Sequence, residues 1–453
     1  MFFRKFALVL AALCVVAVGW ALAPSSALAQ AQQAGVVVDA KGVLEVKTFV
    51  DPGGMLTRQR AAAARAALDA KVANYSKLRK VSLNRLEQAI RDNQGNLTDE
   101  MRYLAGLLRV RYLFYYPETK DIVIAGPAEG WMTDLSGRVV GITTGRPVVQ
   151  LQDLVVALRA FPPDGRRTPV IGCSIDPTEE GLANMQRFLR SVGVHATPAD
   201  TGHIVEGLRT SLGYHTVSVQ GVSPRTRFAQ ILVEADYRMK LIGIGLEQPP
   251  VRLVSYVERA SPADVRRNAM ERWYFVPDYQ CLRVSEDRLA MELVGDGVKL
   301  IGEGELVTAD GQRVGGKSNK ASQAFVQSFT KSYPELAERS PVYAELRNLI
   351  DLSVAAAYIQ EQGLYDKAGW RMELFGNEQA FPVETYNAPR QVATACNAVW
   401  KGNQLMTPVG GGVNIQPTEA LKDTNLLRDE NGSLSKARQE IKLNLAKGQW
   451  WWD

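Results

Sequence analysis

The chain reads as a mixed α/β and α+β protein: a helical N-terminal segment, a central α/β domain and a C-terminal antiparallel meander with helices. Three observations carry this reading. Residues 57–91 are rich in alanine and basic side chains and hold apolar residues at helical spacing. From 169 to 256 short apolar runs alternate with amphipathic stretches, as when strands and helices share a layer. From 263 to 310 short β-rich runs are separated by Ser-Glu-Asp, Gly-Asp-Gly and Ala-Asp-Gly turns, the pattern of a meander.

In chain order, Arg4 and Lys5 precede an apolar run, Phe6–Ala23, and then Ala27-Leu28-Ala29. A charged start, an apolar middle and a small-x-small end predict a secretory signal peptide over 1–29, cut near Ala29. The apolar run has 18 residues, close to the ~20 that span a bilayer, so a retained anchor is the competing reading. An exported chain is periplasmic or secreted. It is not expected to meet nucleotide, nucleic acid or cytoplasmic cofactors, and no cofactor is assigned. The rest divides into 30–109, basic and helical; 110–262, α/β; 263–415, α+β; and 416–453, a polar tail expected to be poorly ordered.

Strands are expected at Gly35–Val38 and Val43–Phe49, before the turn Asp51-Pro52-Gly53-Gly54. The 57–91 helix is predicted from Leu68, Val72 and Tyr75, and from Leu83, Leu86 and Ile90 after the cap Ser82. It holds nine Lys or Arg against Asp69 and Glu87. Arg58, Arg60, Arg65, Lys71, Lys77, Arg79, Lys80 and Arg85 are therefore candidates for a surface that meets an anionic envelope component or an acidic protein. A solvated helix face is the plainer reading. Thr98 should cap a short helix, and Val110–Tyr116 and Asp121–Ala125 should form a hairpin. Helices are predicted at Leu151–Phe161, Thr178–Val192 and His203–Leu212, and from a Ser223 cap to about Lys240. Strands are predicted at Pro169–Ile175, Thr216–Val222, Leu241–Leu246 and Val251–Tyr256. Helices at Asn319–Ser332 and Val342–Gln362 precede strands in 390–400 and 404–415. The chain ends in Trp450-Trp451-Trp452-Asp453, which should dock on a partner or fold back.

The motifs are weak. Gly311–Ser318 matches G-x-x-x-x-G-K-[ST], but it follows a hairpin turn and no metal-binding Asp closes a later strand, so it reads as a glycine-rich turn before a helix. Ser328-Phe329-Thr330-Lys331 matches S-x-x-K, but mid-helix and without K-T-G. His195, His203 and His215 lack a compact ligand spacing, and no metal site is expected. Cys173, Cys281 and Cys396 are expected as three buried reduced thiols, with one bridge as the alternative. Glu129, Trp131, Arg146, Asp236 and Arg238 are the candidates for lining a cleft.

Four segments resemble a secreted planctomycete-type bacterial family known only as a domain of unknown function: Ala125–Trp131, Thr143–Pro147 leading into Leu151–Phe161, Ala235–Lys240 and Arg272–Pro277. The resemblance spans about 100–415. It implies export and a single evolutionary unit, and it brings no reaction, cofactor or catalytic residue. Together these observations point to a non-enzymatic, envelope-associated binding or scaffold protein. The alternative is an extracytoplasmic hydrolase with a cleft between the two larger domains.

Overall fold

The structure is a computed structural model that describes residues 33–192, 197–261, 271–278, 281–302, 305–307, 313–315, 320–397, 409–443 and 445–453. The segment 1–29 expected to be a leader, His195 and most of Gly311–Ser318 lie outside the described residues.

Two large sheets dominate a mixed α/β fold. The first has eight strands in the order Gln33–Val38, Val43–Phe49, Gln391–Ala393, Tyr214–Gln220, Ile171–Asp176, Val409–Ile415, Glu271–Pro277 and Val298–Gly302. Its pairings are antiparallel except for Val43–Phe49 with Gln391–Ala393 and Glu271–Pro277 with Val409–Ile415. The second has seven, in the order Leu426–Arg428, Leu282–Val284, Ala290–Leu293, Tyr112–Tyr116, Asp121–Ala128, Ser76–Ser82 and Trp451–Trp452. Glycine makes the middle of the first sheet possible. A Cβ on Gly411, whose φ is +127°, would lie 1.8 Å from the Trp273 carbonyl oxygen.

Helices fill the space between the sheets. Arg227–Gly243 packs on Ile171–Asp176 and Val409–Ile415, and Lys320–Arg339 packs on Val298–Gly302. The helix Pro341–Glu361 is buried along nearly its whole length. It carries apolar residues all round, as a helix enclosed by protein does, with its buried charges Glu345, Arg347 and Asp351 each paired, and it touches Leu151–Ala160, Arg227–Gly243 and Lys320–Arg339. It also reaches the connections beside the second sheet: Tyr358 OH donates to the Arg288 carbonyl at 2.8 Å and Asn348 Nδ2 to the Leu108 carbonyl at 3.0 Å. One apolar core thus joins Ile175, Trp273 and Phe275 of the first sheet to Leu113, Ile122 and Met291 of the second.

Four expectations need correction. Residues 57–91 are not one helix. Met55–Ala67, the single turn Ala70–Ala73 and Leu83–Asp92 are helices, and Ser76–Ser82 is a strand. Leu68 turns extended, and Ser76–Ser82 is claimed by backbone pairing with Asp121–Ala128 on one side and Trp451–Trp452 on the other; such pairing overrides local propensity. Thr226, not Ser223, caps the helix Arg227–Gly243, which runs into the strand expected at Leu241–Leu246 and is followed there by a turn; no strand forms at Val251–Tyr256. The expected meander is divided: Glu271–Pro277 and Val298–Gly302 join the first sheet, Leu282–Val284 and Ala290–Leu293 the second. The tail is structured, with a strand at Leu426–Arg428, a helix at Ser433–Glu440 and the terminal pair Trp451–Trp452. Its tryptophans find apolar partners in the body, which outweighs its polar composition.

Candidate functional site

One cavity has a volume of about 540 Å³, within the range of small-molecule sites. Elements distant in sequence converge on it. Arg227 is the first residue of the helix Arg227–Gly243, where Thr226 Oγ1 accepts the Ala229 N–H at 3.2 Å. Glu234 lies seven residues on, on the same face. Arg138 follows a turn in which Asp134 Oδ1 accepts from Ser136 N, Ser136 Oγ and Arg138 N. Glu345 stands in the second turn of the long buried helix, and Asp153 in the first turn of Leu151–Ala160.

Arg138, Arg227, Glu234 and Glu345 form the floor, and with Asp153 behind them the charges alternate as a continuous ladder. Asp153 and Glu345 each hold Arg227. Arg138 Nε donates to Glu345 Oε2 at 2.9 Å and Arg138 Nη2 to Glu234. Arg238 continues it, donating to Glu234 Oε1 at 3.4 Å and to Glu247 Oε1 at 2.7 Å. Burial opposes the Arg138 cation, but Glu234 and Glu345 outweigh it and hold its pKa above the ordinary value. Burial pushes Asp153 up to about 6, against the pull of Arg227.

The walls differ in chemistry. Tyr103, Phe381 and Tyr386 supply rings, and Gln150, Gln152 and Gln230 supply amides. Tyr386 OH donates to Glu384 Oε2 at 2.7 Å and accepts from Gln152 Nε2 at 3.3 Å, so the loop bearing it is tied to the helix Leu151–Ala160.

Of the five sequence candidates, none lines this cavity. Glu129 is buried, and its Oε1 accepts from Thr144 N at 2.9 Å and Thr144 Oγ1 at 2.6 Å. Trp131 packs edge-on against Tyr103, with centroids 5.5 Å apart, and so supports the wall from behind. Arg146 pairs with Glu338 at the surface, Nε to Oε2 at 2.7 Å. Asp236 sits under the first sheet, bonded to Lys240 Nζ at 2.7 Å; that ammonium also donates to the Gly411 carbonyl at 3.2 Å. Burial pushes Asp236 up to about 6 despite Lys240. Arg238 reaches the floor only through Glu234. The long buried helix and the 227–243 helix were legible. Their inward charges, Glu345 and the Arg227/Glu234/Arg238 series, were the available signal.

The proposed basic surface is also divided. Arg58, Arg65, Lys71 and Lys77 are exposed. Arg60 is tied to the Thr133 and Asp134 carbonyls. Arg85 Nε bonds Asp121 at 2.7 Å. Arg79 is fully buried and Lys80 is buried, so neither meets a partner. Cys173, Cys281 and Cys396 are buried free thiols. Among the described residues no group of His, Cys, Asp and Glu could hold a metal ion, and no helix is long and apolar enough to cross a membrane.

Fold and cavity define a mixed α/β protein with a charge-compensated polar chamber. The family described as Protein of unknown function (DUF1598) matches residues 173–256. The match includes Ala235–Lys240 of the four resembling segments and contributes Arg227, Gln230, Ile231 and Glu234 to the cavity. No curated protein and no solved structure matches the chain.

Proposed function

We propose that this is an exported, envelope-associated binding protein and not an enzyme, with the cavity as the seat of a small hydroxyl- or amide-bearing ligand. The observation that carries the reading is the floor. Its two carboxylates, Glu234 and Glu345, are each already engaged by arginine, and Asp153, which burial pushes up, lies behind the lining. Hydrolysis by paired carboxylates needs one group able to give a proton and another open to attack or to activate water. A carboxylate locked by guanidinium groups is a poor base. The floor instead fixes the shape of the chamber, while the rings and amides of the walls suit stacking on, and hydrogen bonding to, a polar solute. Export rests on the leader pattern of 1–29.

Thermal unfolding of the chain from Gln30 onward, against sugars, polyols, amino acids and short peptides, tests this. A ligand at about 100 times its Kd adds ~2.7 kcal/mol of stability and raises Tm by several degrees. Gln152→Ala and Tyr103→Ala should weaken that ligand at least tenfold. If no class shifts Tm, the cavity reading fails. If a substrate is instead hydrolysed, and Glu345→Gln abolishes turnover without unfolding the protein, the hydrolase reading replaces it.

A further inference from the structure

We propose that the tip Val50–Leu56 and the outer face of the helix Met55–Ala67 form a docking surface for an anionic lipid bilayer. The inference rests on the envelope reading above and names the surface and the partner. Val50, Met55 and Leu56 are 64%, 68% and 47% exposed, three of the most exposed large apolar side chains in the described molecule. They stand within seven residues of one another, and the tip is held in shape. Asp51 Oδ1 accepts from Leu56 N at 3.0 Å, and Asp51 Oδ2 accepts from Thr57 N at 2.9 Å and Thr57 Oγ1 at 2.7 Å. The one acid of the tip is thus turned into the first turn of the helix.

The helix packs on the body through Ala61 and Ala64, against Met132, Val140 and Ile142. Its opposite face carries Met55, Gln59, Ala62 and Ala66, at i, i+4, i+7 and i+11, all exposed. A solvated face normally gathers charge there; this one is mostly apolar, with Arg58 and Arg65 at its flank. Apolar residues bordered by arginine suit a headgroup boundary with negative charge. Chain geometry points the same way. Gln33 pairs with Phe49, so the chain enters the body beside Val50, and the preceding 32 residues include the apolar run Phe6–Ala23. If that run is a leader, this end of the body stays nearest the bilayer until the leader is cut.

The test is flotation of the chain beginning at Gln30, which keeps every described element, with vesicles of phosphatidylcholine alone or containing one quarter phosphatidylglycerol. Binding is expected to the anionic vesicles and to fall at least tenfold in Met55→Ser/Leu56→Ser and in Arg58→Glu/Arg65→Glu, since each basic residue near such a surface strengthens binding about fivefold. Both variants should keep the parent Tm, because the replaced side chains are exposed. Equal binding by the parent and both variants overturns the proposal. Binding to isolated envelopes but not to vesicles also overturns it while leaving the envelope reading intact; binding to neither removes both.

Discussion

His215 illustrates what burial does to a single titratable group. It is 2% exposed, and burial, with the Lys240 charge adding, lowers its pKa to about 4. The folded protein therefore takes up its proton later than the unfolded chain as pH falls. The stability this group contributes is complete above the unfolded value of 6.5 and is lost as pH drops through about 4. Asp153 and Asp236 act in the opposite sense, because the folded state binds their protons more tightly. Comparing Tm across pH 7 to 4 for the parent and His215→Gln isolates the histidine. The variant should gain on the parent as pH falls, by roughly 3 kcal/mol at the acid end; parallel curves would show that His215 is not protonated with a penalty. Single residues whose role is local were legible in the sequence. Thr98 caps its helix by accepting the Met101 N–H at 3.3 Å, and Thr178 accepts the Gly181 N–H at 3.0 Å. Arg79 was not legible, because its carboxylate partner is Asp453, a distance in sequence that no local pattern spans.

At the level of elements, the C-terminal strand shows how a tail becomes structure. Trp451 and Trp452 pair with Val81 and Lys80, Trp450 is buried in the core, and Arg79 meets Asp453 through two bonds of 2.9 Å. Arg79 also lies 4.9 Å from the Trp451 ring. Trp450→Ala should cost about 3–5 kcal/mol, and Asp453→Ala roughly 1–3 kcal/mol because its carboxylate is half-exposed. Urea unfolding would check both; a change under 0.5 kcal/mol in either would mean that the strand is not docked. The hairpin Tyr112–Tyr116 with Asp121–Ala128 and the helix Leu151–Ala160 were readable because their periodicity and turn chemistry are local. Ser76–Ser82 was not, because only its neighbours in the sheet decide between helix and strand. The floor of the cavity was half-readable. Its helices were expected, but which of their charges face one another depends on how those helices pack.

Across the molecule, both sheets take strands from residues before 110, between 110 and 262, and beyond 263. The mixed class was evident from alternation of apolar runs; the interleaving was not, since strand order is set by pairing that composition does not encode. A fragment of residues 110–262 alone would lack both sequence-distant partners of its central strands, Gln391–Ala393 and Val409–Ile415. It should be unfolded by circular dichroism and amide exchange; a cooperative transition in that fragment would establish an autonomous unit.

The position of Val409–Ile415 between Ile171–Asp176 and Glu271–Pro277 also has a consequence in time. The middle of the first sheet cannot close until most of the chain has been made. Until then two strand edges stand open, and closing them requires contacts of long sequence separation, which form slowly. Such a chain is poorly suited to folding as it is synthesised. Its open edges stay exposed to mispairing until the last strand slots in.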